Sequence, residues 1–186
     1  MVRRGLSWSL LAPAAALVAP APLFAVDYLT PEQVQSEMFA LAKTFEVRQV
    51  TLTVEQQQAV EQRLGEPLRR TSFGLRLAKS EGELLGVVVV DDVIGKFERI
   101  TYAVGLGPDG AIRAVDILSY RESHGQEVRL AAWRKQFVGK NATSPLRVGE
   151  DIANISGATL SCNHITQGVR RITAVVEELR NAGELG

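Results

Sequence analysis

Four apolar stretches in the middle of the chain carry the pattern of β-strands. Between Phe73 and Leu77, apolar residues alternate with polar or small ones, which is typical of a half-buried strand. Residues 84–90 form an almost continuous apolar run with four valines, and this composition favours a buried strand. Residues 99–106 and 111–118 add two more strands. Because no long helix separates the four, the pattern predicts an antiparallel sheet.

Two capping-box sequences precede these strands. Thr30-Pro31-Glu32-Gln33 predicts a helix that begins at the proline and runs to about Phe45. Thr53-Val54-Glu55-Gln56 repeats the signal and predicts a second helix to Leu64, where a glycine follows. Residues 26–70 are therefore predicted to form a helical N-terminal segment.

Two further helices are predicted after the strands. Over residues 126–137, helical spacing places Val128, an alanine and Trp133 on one face. Residues 160–180 show the same spacing over a longer stretch. The sequence thus predicts an α+β fold: an antiparallel sheet flanked by helices over residues 71–186, preceded by the helical N-terminal segment.

The first residues have the pattern of an export signal. Arg3 and Arg4 precede an almost wholly apolar stretch, residues 6–24, and Ala25 stands before a polar region. We therefore expect a signal peptide over residues 1–25 and a periplasmic mature protein. An uncleaved membrane anchor is the alternative, since about 20 apolar residues suffice to span a bilayer. The three prolines in the stretch weaken a continuous helix.

Charge and cysteine content exclude several classes of function. Lys and Arg number 21, as do Asp and Glu, so the chain lacks the basic excess of a nucleic-acid-binding protein. Cys162 is the only cysteine, which excludes an intrachain disulfide and a multi-cysteine zinc site. Its position in a predicted helix indicates a small buried thiol rather than a redox partner. The sequence shows no metal site and no catalytic triad.

Residues 105–110 match the G-x-G-x-x-G fingerprint of dinucleotide-binding proteins letter for letter. That fingerprint requires a helix to open at the glycines. Here Pro108-Asp109-Gly110 is a turn signal, and the residues that follow have a strand pattern. We therefore predict a hairpin turn and no dinucleotide site.

The candidate chemistry lies directly before the last helix, in Ser156-Gly157-Ala158-Thr159. A helix N-terminus offers unpaired N–H groups and a positive dipole end, so it attracts phosphate. Gly157 and Ala158 carry no bulk, and Thr159 presents a hydroxyl beside this anion site. Simple helix capping by Ser156 or Thr159 is the alternative interpretation.

These four residues resemble the S/T-G-A-T attachment motif of the FMN-binding domain family. That family includes the covalently flavinylated subunits of the sodium-pumping NADH:quinone oxidoreductase and of the Rnf complex. The resemblance implies a phosphoester between Thr159 and FMN, installed from FAD by a flavin transferase outside the cytoplasm. The surrounding positions that it assigns to cofactor binding are Ser156, Gly157, Ala158 and Leu160.

Two other segments resemble the same family, in the same order along the chain. Residues 119–125 look like the strand end at which an acidic residue and a glycine approach the flavin, and Glu122 and Gly125 hold those places. Glu122 bonding to the ring and Glu122 capping the next helix both stay open. Residues 136–140 look like the segment after the middle helix. Its lysine, Lys140, either offers charge to the cofactor or is an ordinary surface lysine.

One position departs from the family pattern. Ala153 stands where the family often has an aspartate, which is thought to matter for recognition by the transferase. The implied function is electron transfer between periplasmic or membrane redox partners. A flavin-dependent reductase of a small substrate, with Glu122 or His124 as proton donor, is one alternative. A binding module that is not flavinylated, because of Ala153, is another. His164, in the last helix, is expected to be a solvated residue.

Overall fold

The computed structural model describes residues 26–185, so the predicted signal segment lies outside the described residues. Within that range the elements are β1 Val26–Asp27, α1 Pro31–Met38, β2 Thr44–Thr51, α2 Val54–Leu64, β3 Ser72–Ser80, β4 Glu83–Ile94, β5 Arg99–Leu106, β6 Ile112–Tyr120, α3 Ala131–Arg134 and α4 Thr159–Asn181. Two 3₁₀ turns, Gln126–Arg129 and Lys135–Phe137, flank α3.

The strands form one sheet in the order β1-β6-β5-β4-β3-β2, and all neighbours are antiparallel. Helices α2 and α4 contact each other, and α4 also packs on β4 and β5. Helix α1 contacts β4, β5 and β6. The α+β fold predicted from the sequence, an antiparallel sheet flanked by helices, is confirmed.

The central strands are buried on both faces, which explains the continuous apolar run in β4. Val87 and Val89 pack into the large core beside α4, whereas Val88 packs into a smaller core on the opposite face. Phe39, at the end of α1, covers this second face. A Cβ on Gly86 would lie 2.3 Å from the Phe39 ring, so only a glycine leaves room for that ring.

The N-terminal segment is only partly helical. The capping boxes predicted at Thr30 and Thr53 are both present, and α2 has the predicted bounds. The first helix, however, ends at Met38 rather than near residue 45. Residues 44–51 form strand β2, which pairs with β3 along its whole length. This segment is rich in threonine and valine, whose branched side chains favour strands over helices.

The middle helix predicted over residues 126–137 is broken into short pieces. Leu130 has an extended backbone, with φ −61° and ψ 130°, and it separates a 3₁₀ turn from the four-residue α3. Val128 and Trp133 are buried as the spacing predicted, and Phe137 is buried too, but both alanines are exposed. The apolar side chains therefore reach the core from irregular backbone rather than from one helical face.

Two other predictions are confirmed. The G-x-G-x-x-G segment is the hairpin between β5 and β6, in which the Gly110 N–H donates to the Gly107 carbonyl at 2.9 Å. Helix α4 spans 23 residues and buries one apolar face, including Ile165, Val169 and Ile172. No helix within residues 26–185 is both long enough and apolar enough to cross a membrane.

Candidate functional site

The first turn of α4 lacks a side-chain cap. Its N-cap is Ala158, with φ −121° and ψ 18°, and no side chain accepts a hydrogen bond from the turn. Neither Ser156 nor Thr159 therefore caps the helix, which contradicts the capping interpretation. The N–H groups at the start of a long helix have no intrahelical partners, and the dipole is positive there. This end of α4 suits a phosphate group.

Thr159 is the first residue of α4, and its side chain is exposed. Its Oγ1 accepts a hydrogen bond from Nδ2 of Asn154 at 3.1 Å. Leu160, the next residue, is 45% exposed. Gly157 has φ +84°, a conformation that favours glycine, and a Cβ there would meet nothing within 4 Å. The motif is thus open to solvent at Gly157 and Thr159, and the Thr159 hydroxyl is accessible.

The loop after β6 packs directly against this motif. A Cβ on Gly125 would lie 3.1 Å from the Cβ of Ala158 and 2.7 Å from the Tyr120 hydroxyl. That hydroxyl donates to the His124 carbonyl at 2.6 Å and lies 3.0 Å from Ser161 Oγ. Since its single proton goes to the carbonyl, the serine donates to it. The structure therefore brings together two segments that the sequence places more than 30 residues apart.

Glu122 is buried and binds backbone rather than a helix end. Its Oε1 accepts hydrogen bonds from the N–H groups of Phe97 at 2.6 Å and Glu98 at 2.9 Å, in the turn between β4 and β5. Burial alone would raise the pKa of this carboxyl, but the N–H groups of Glu98 and Phe97 outweigh burial and lower it. The next helical turn has no side-chain cap. Glu122 is thus an ionised anchor of the β4–β5 turn.

The β4–β5 turn itself, residues 95–98, did not stand out in the sequence. It exposes Phe97 at 75%, and it directly follows Ile94, the last residue of β4, which is 52% exposed. Glu122 holds it from one side, and His164 holds it from α4 through a 2.6 Å hydrogen bond from Nδ1 to the Ile94 carbonyl. His164 is therefore half-buried and bonded to backbone, not simply solvated as expected. The sequence signal that could have identified this turn is a phenylalanine among otherwise polar or small residues.

Lys140 contacts a carboxylate in the loop before the motif. Its Nζ lies 3.0 Å from Oδ2 of Asp151. The same oxygen accepts a hydrogen bond from the Leu146 N–H, and Oδ1 accepts one from the Arg147 N–H. Burial would raise the pKa of Asp151, but the Arg147 N–H and the Lys140 ammonium lower it overall. The lysine charge is therefore used to stabilise this loop.

The loop is fixed a second time at Ala153, the position where the family pattern has an aspartate. The Ala153 N–H donates to Oε1 of Gln136 at 2.7 Å, and its carbonyl accepts from Nε1 of Trp133 at 2.8 Å. Both partners come from the segment around α3. The backbone that leads into the motif is thus held at a defined position.

Cys162 is fully buried, and burial raises the pKa of its thiol. The predicted small buried thiol is confirmed. Across residues 26–185, no group of three or more His, Cys, Asp or Glu side chains is arranged to hold a metal ion.

A cavity of about 390 Å³ runs along α4 beside the β4–β5 turn. At one wall, the buried Asp91 carboxylate accepts hydrogen bonds from Arg171 at 2.7 Å and from the Tyr102 hydroxyl at 3.0 Å, and it pairs with Arg70. Gly168 makes this arrangement possible, because a Cβ there would lie 2.1 Å from the Tyr102 oxygen. The cluster ties α4 to the sheet below the motif.

A family model described as an FMN-binding domain matches residues 95–174. Among solved structures, the chain is similar to NqrC of Shewanella oneidensis, with a TM-score of 0.56 and 15% identity over 81% of this chain and 88% of that one. A subunit of the Na⁺-translocating NADH-quinone reductase of Parabacteroides distasonis gives a TM-score of 0.43 and 13% identity, with 84% of each chain covered. No curated protein matches this chain.

The matched range contains the loop with Glu122 and Gly125 and the motif with Thr159. It begins in the β4–β5 turn, includes the loop with Glu122 and Gly125, and ends within α4. The solved structure from Shewanella shares the fold. The chemistry of the site also fits FMN, since an uncapped helix N-terminus suits its phosphate and exposed apolar side chains suit its ring. Residues 95–174 of this chain thus match the FMN-binding domain family.

Proposed function

We propose that this protein carries FMN as a phosphoester on Thr159 and transfers electrons between redox partners outside the cytoplasm. The observation that carries the proposal is the state of Thr159. Its hydroxyl is exposed on the first turn of a 23-residue helix and is not used as a cap. A hydroxyl that is not needed as a helix cap, placed beside unpaired N–H groups, is available for a covalent bond to phosphate.

The protein's groups have distinct roles in this proposal. The N–H groups of the first turn of α4 bind the phosphate, with Gly157 keeping the approach open. The exposed side chains of Ile94, Phe97 and Leu160 give the ring an apolar surface. Glu122 fixes the turn that carries Phe97 and directly follows Ile94, and it places a negative charge behind that turn. When bound, the flavin supplies the redox chemistry, and the protein tunes it.

Export and loading by a flavin transferase complete the proposal. The apolar segment before residue 26 supports export, and a single buried cysteine needs no disulfide in an oxidising compartment. Covalent attachment suits that compartment, where lost FMN is not readily replaced. The partners would be a transferase that uses FAD and periplasmic or membrane redox proteins.

The reductase alternative finds less support. It needs a proton donor beside the flavin, and Glu122 is a poor donor because its pKa is lowered and its carboxylate already accepts two N–H groups. His124 is exposed, and its ring is hydrogen-bonded to Ser123. We therefore favour electron transfer.

The test is the intact mass of the protein after incubation with a flavin transferase and FAD. Wild type should gain one FMN less one water and stay yellow after denaturation. Thr159→Ala and Thr159→Val should gain no mass yet fold normally, and Val preserves the branched shape as a packing control. Wild type with no added mass would refute attachment and favour the binding module. Mass gained by Thr159→Val would move the bond to another hydroxyl, such as that of Ser156.

A further inference from the structure

Asn154 contacts the candidate attachment residue from the loop, not from the helix. Its Nδ2 donates to Thr159 Oγ1 at 3.1 Å, five residues ahead in the chain. The neighbouring peptide groups of Ala153 are bonded to Gln136 and Trp133. The amide therefore approaches Thr159 from backbone that the rest of the domain holds in place.

The direction of this hydrogen bond determines what it does to the hydroxyl. A threonine oxygen has one proton and two lone pairs. The Asn154 amide occupies one lone pair, so the proton stays free to be removed and the second lone pair stays free to form a bond. A donor aimed at the oxygen also stabilises the negative charge that develops there as the proton leaves.

We propose that Asn154 is a positioning residue for the transfer of the flavin to Thr159. This inference rests on the proposed function, because it concerns the step that loads the protein. In that step the Thr159 oxygen forms a bond to the FMN phosphorus of FAD, and the bond from this phosphorus to the oxygen of the AMP moiety breaks. AMP leaves with that oxygen, and the hydroxyl proton passes to a base of the transferase or to solvent. Nothing is oxidised or reduced.

A different role for Asn154 is recognition by the transferase in place of the aspartate missing at Ala153. The positioning role and the recognition role can be distinguished by changing the charge of residue 154. Asn154→Asp would restore a carboxylate near the recognition position but would remove the N–H donor. Asn154→Leu removes the donor with little change in size. If Asn154 orients Thr159, the N–H donor is required and both variants should be loaded slowly. If the transferase instead recognises a carboxylate here, Asn154→Asp should be loaded at least as fast as wild type.

The experiment measures initial rates of mass gain with purified transferase and FAD, over a range of protein concentrations. We expect kcat to fall about tenfold or more in both variants, with KM unchanged, because the lost interaction acts on the reacting oxygen. Asn181→Leu, at the exposed far end of α4, should match wild type. Circular dichroism should show equal folding, since Asn154 is exposed.

The proposal is overturned if both variants load at the wild-type kcat, if only KM rises, or if Asn154→Asp loads as fast as wild type. Failure of the underlying function would look different. In that case wild type itself would gain no mass, and Thr159 would not be the site. Loading of wild type together with slow loading of both Asn154 variants supports the role.

Discussion

Gly125 and Ala158 lie so close together that a methyl group on the glycine would come within 3.1 Å of the alanine Cβ. One residue belongs to the loop after β6, and the other is the N-cap of α4. Their contact joins the loop that carries Glu122 to the motif that carries Thr159. The small size of both residues is therefore a requirement of the site's geometry.

The first prediction tests this contact. Gly125→Ala should lower the free energy of unfolding by about 3 kcal/mol, from the combined cost of a left-handed backbone and of crowding. Gly139→Ala is the matched control, because its φ of +81° resembles the +84° of Gly125 but a Cβ there meets nothing within 4 Å. It should cost only about 1 kcal/mol. Urea unfolding measures both, and equal losses would show that crowding at Ala158 is unimportant.

The second prediction concerns acid stability. The pKa of Glu122 is lowered in the folded protein, so its contribution is fully present above its unfolded pKa, near 4.3, and is lost as pH falls through the lowered value. Wild type should therefore be more stable than Glu122→Gln at pH 7, and the difference in stability should close as the pH falls through the lowered pKa of Glu122. Urea unfolding across this range checks it. Glu66→Gln, at an exposed side chain, is the control. A difference in unfolding free energy that stays constant with pH, or that Glu66→Gln also shows, would contradict the anchoring role of Glu122.

The third prediction concerns the exposed aromatic residue of the β4–β5 turn. Phe97→Ala should leave covalent loading intact, because attachment takes place at the phosphate end. It should change flavin fluorescence and the midpoint potential, because the ring loses apolar cover. Val47→Ala is the control, since Val47 is 68% exposed on β2, at the far edge of the sheet. Identical spectra for Phe97→Ala and wild type would mean that the flavin ring lies elsewhere.

The fourth prediction concerns Cys162. The buried thiol should react with an aromatic disulfide reagent only after unfolding, since both burial and a raised pKa suppress the thiolate. Cys162→Ser should keep both covalent flavin and its reduction, at some cost in stability for a buried hydroxyl. A folded variant that no longer undergoes flavin reduction would make the thiol a participant in the chemistry.

Much of the fold could be read from local patterns, and the failures have physical causes. The capping boxes at Thr30 and Thr53 and the valine-rich strand β4 were predictable because each depends on neighbours in sequence. Strand β2 was not, because its stability depends on pairing with β3 rather than on strict alternation. The broken segment around α3 has helical spacing, but its side chains reach the core through an extended Leu130.

The residues of the candidate site also fall into two groups: those that local motifs predict and those that only the folded chain brings together. Thr159 and Gly125 were found from motifs, and the structure packs their segments together. The partners of Glu122 and Lys140 were not predictable, because Phe97 and Asp151 come from other loops that only the folded chain brings near. The Asn154 amide was also missed. Its bond to Thr159 depends on a loop conformation that no periodicity encodes.

Strand β1 determines which end of the molecule any preceding segment joins. Val26 pairs with Tyr120, whose hydroxyl contacts Ser161 two residues beyond Thr159. A leader retained as an anchor would therefore hold the Thr159 end of the domain, the proposed site of the flavin, beside the lipid surface, within reach of membrane-bound donors. A cleaved leader would release the same end to meet soluble carriers. Processing of the first residues would thus select the class of redox partner as well as the location.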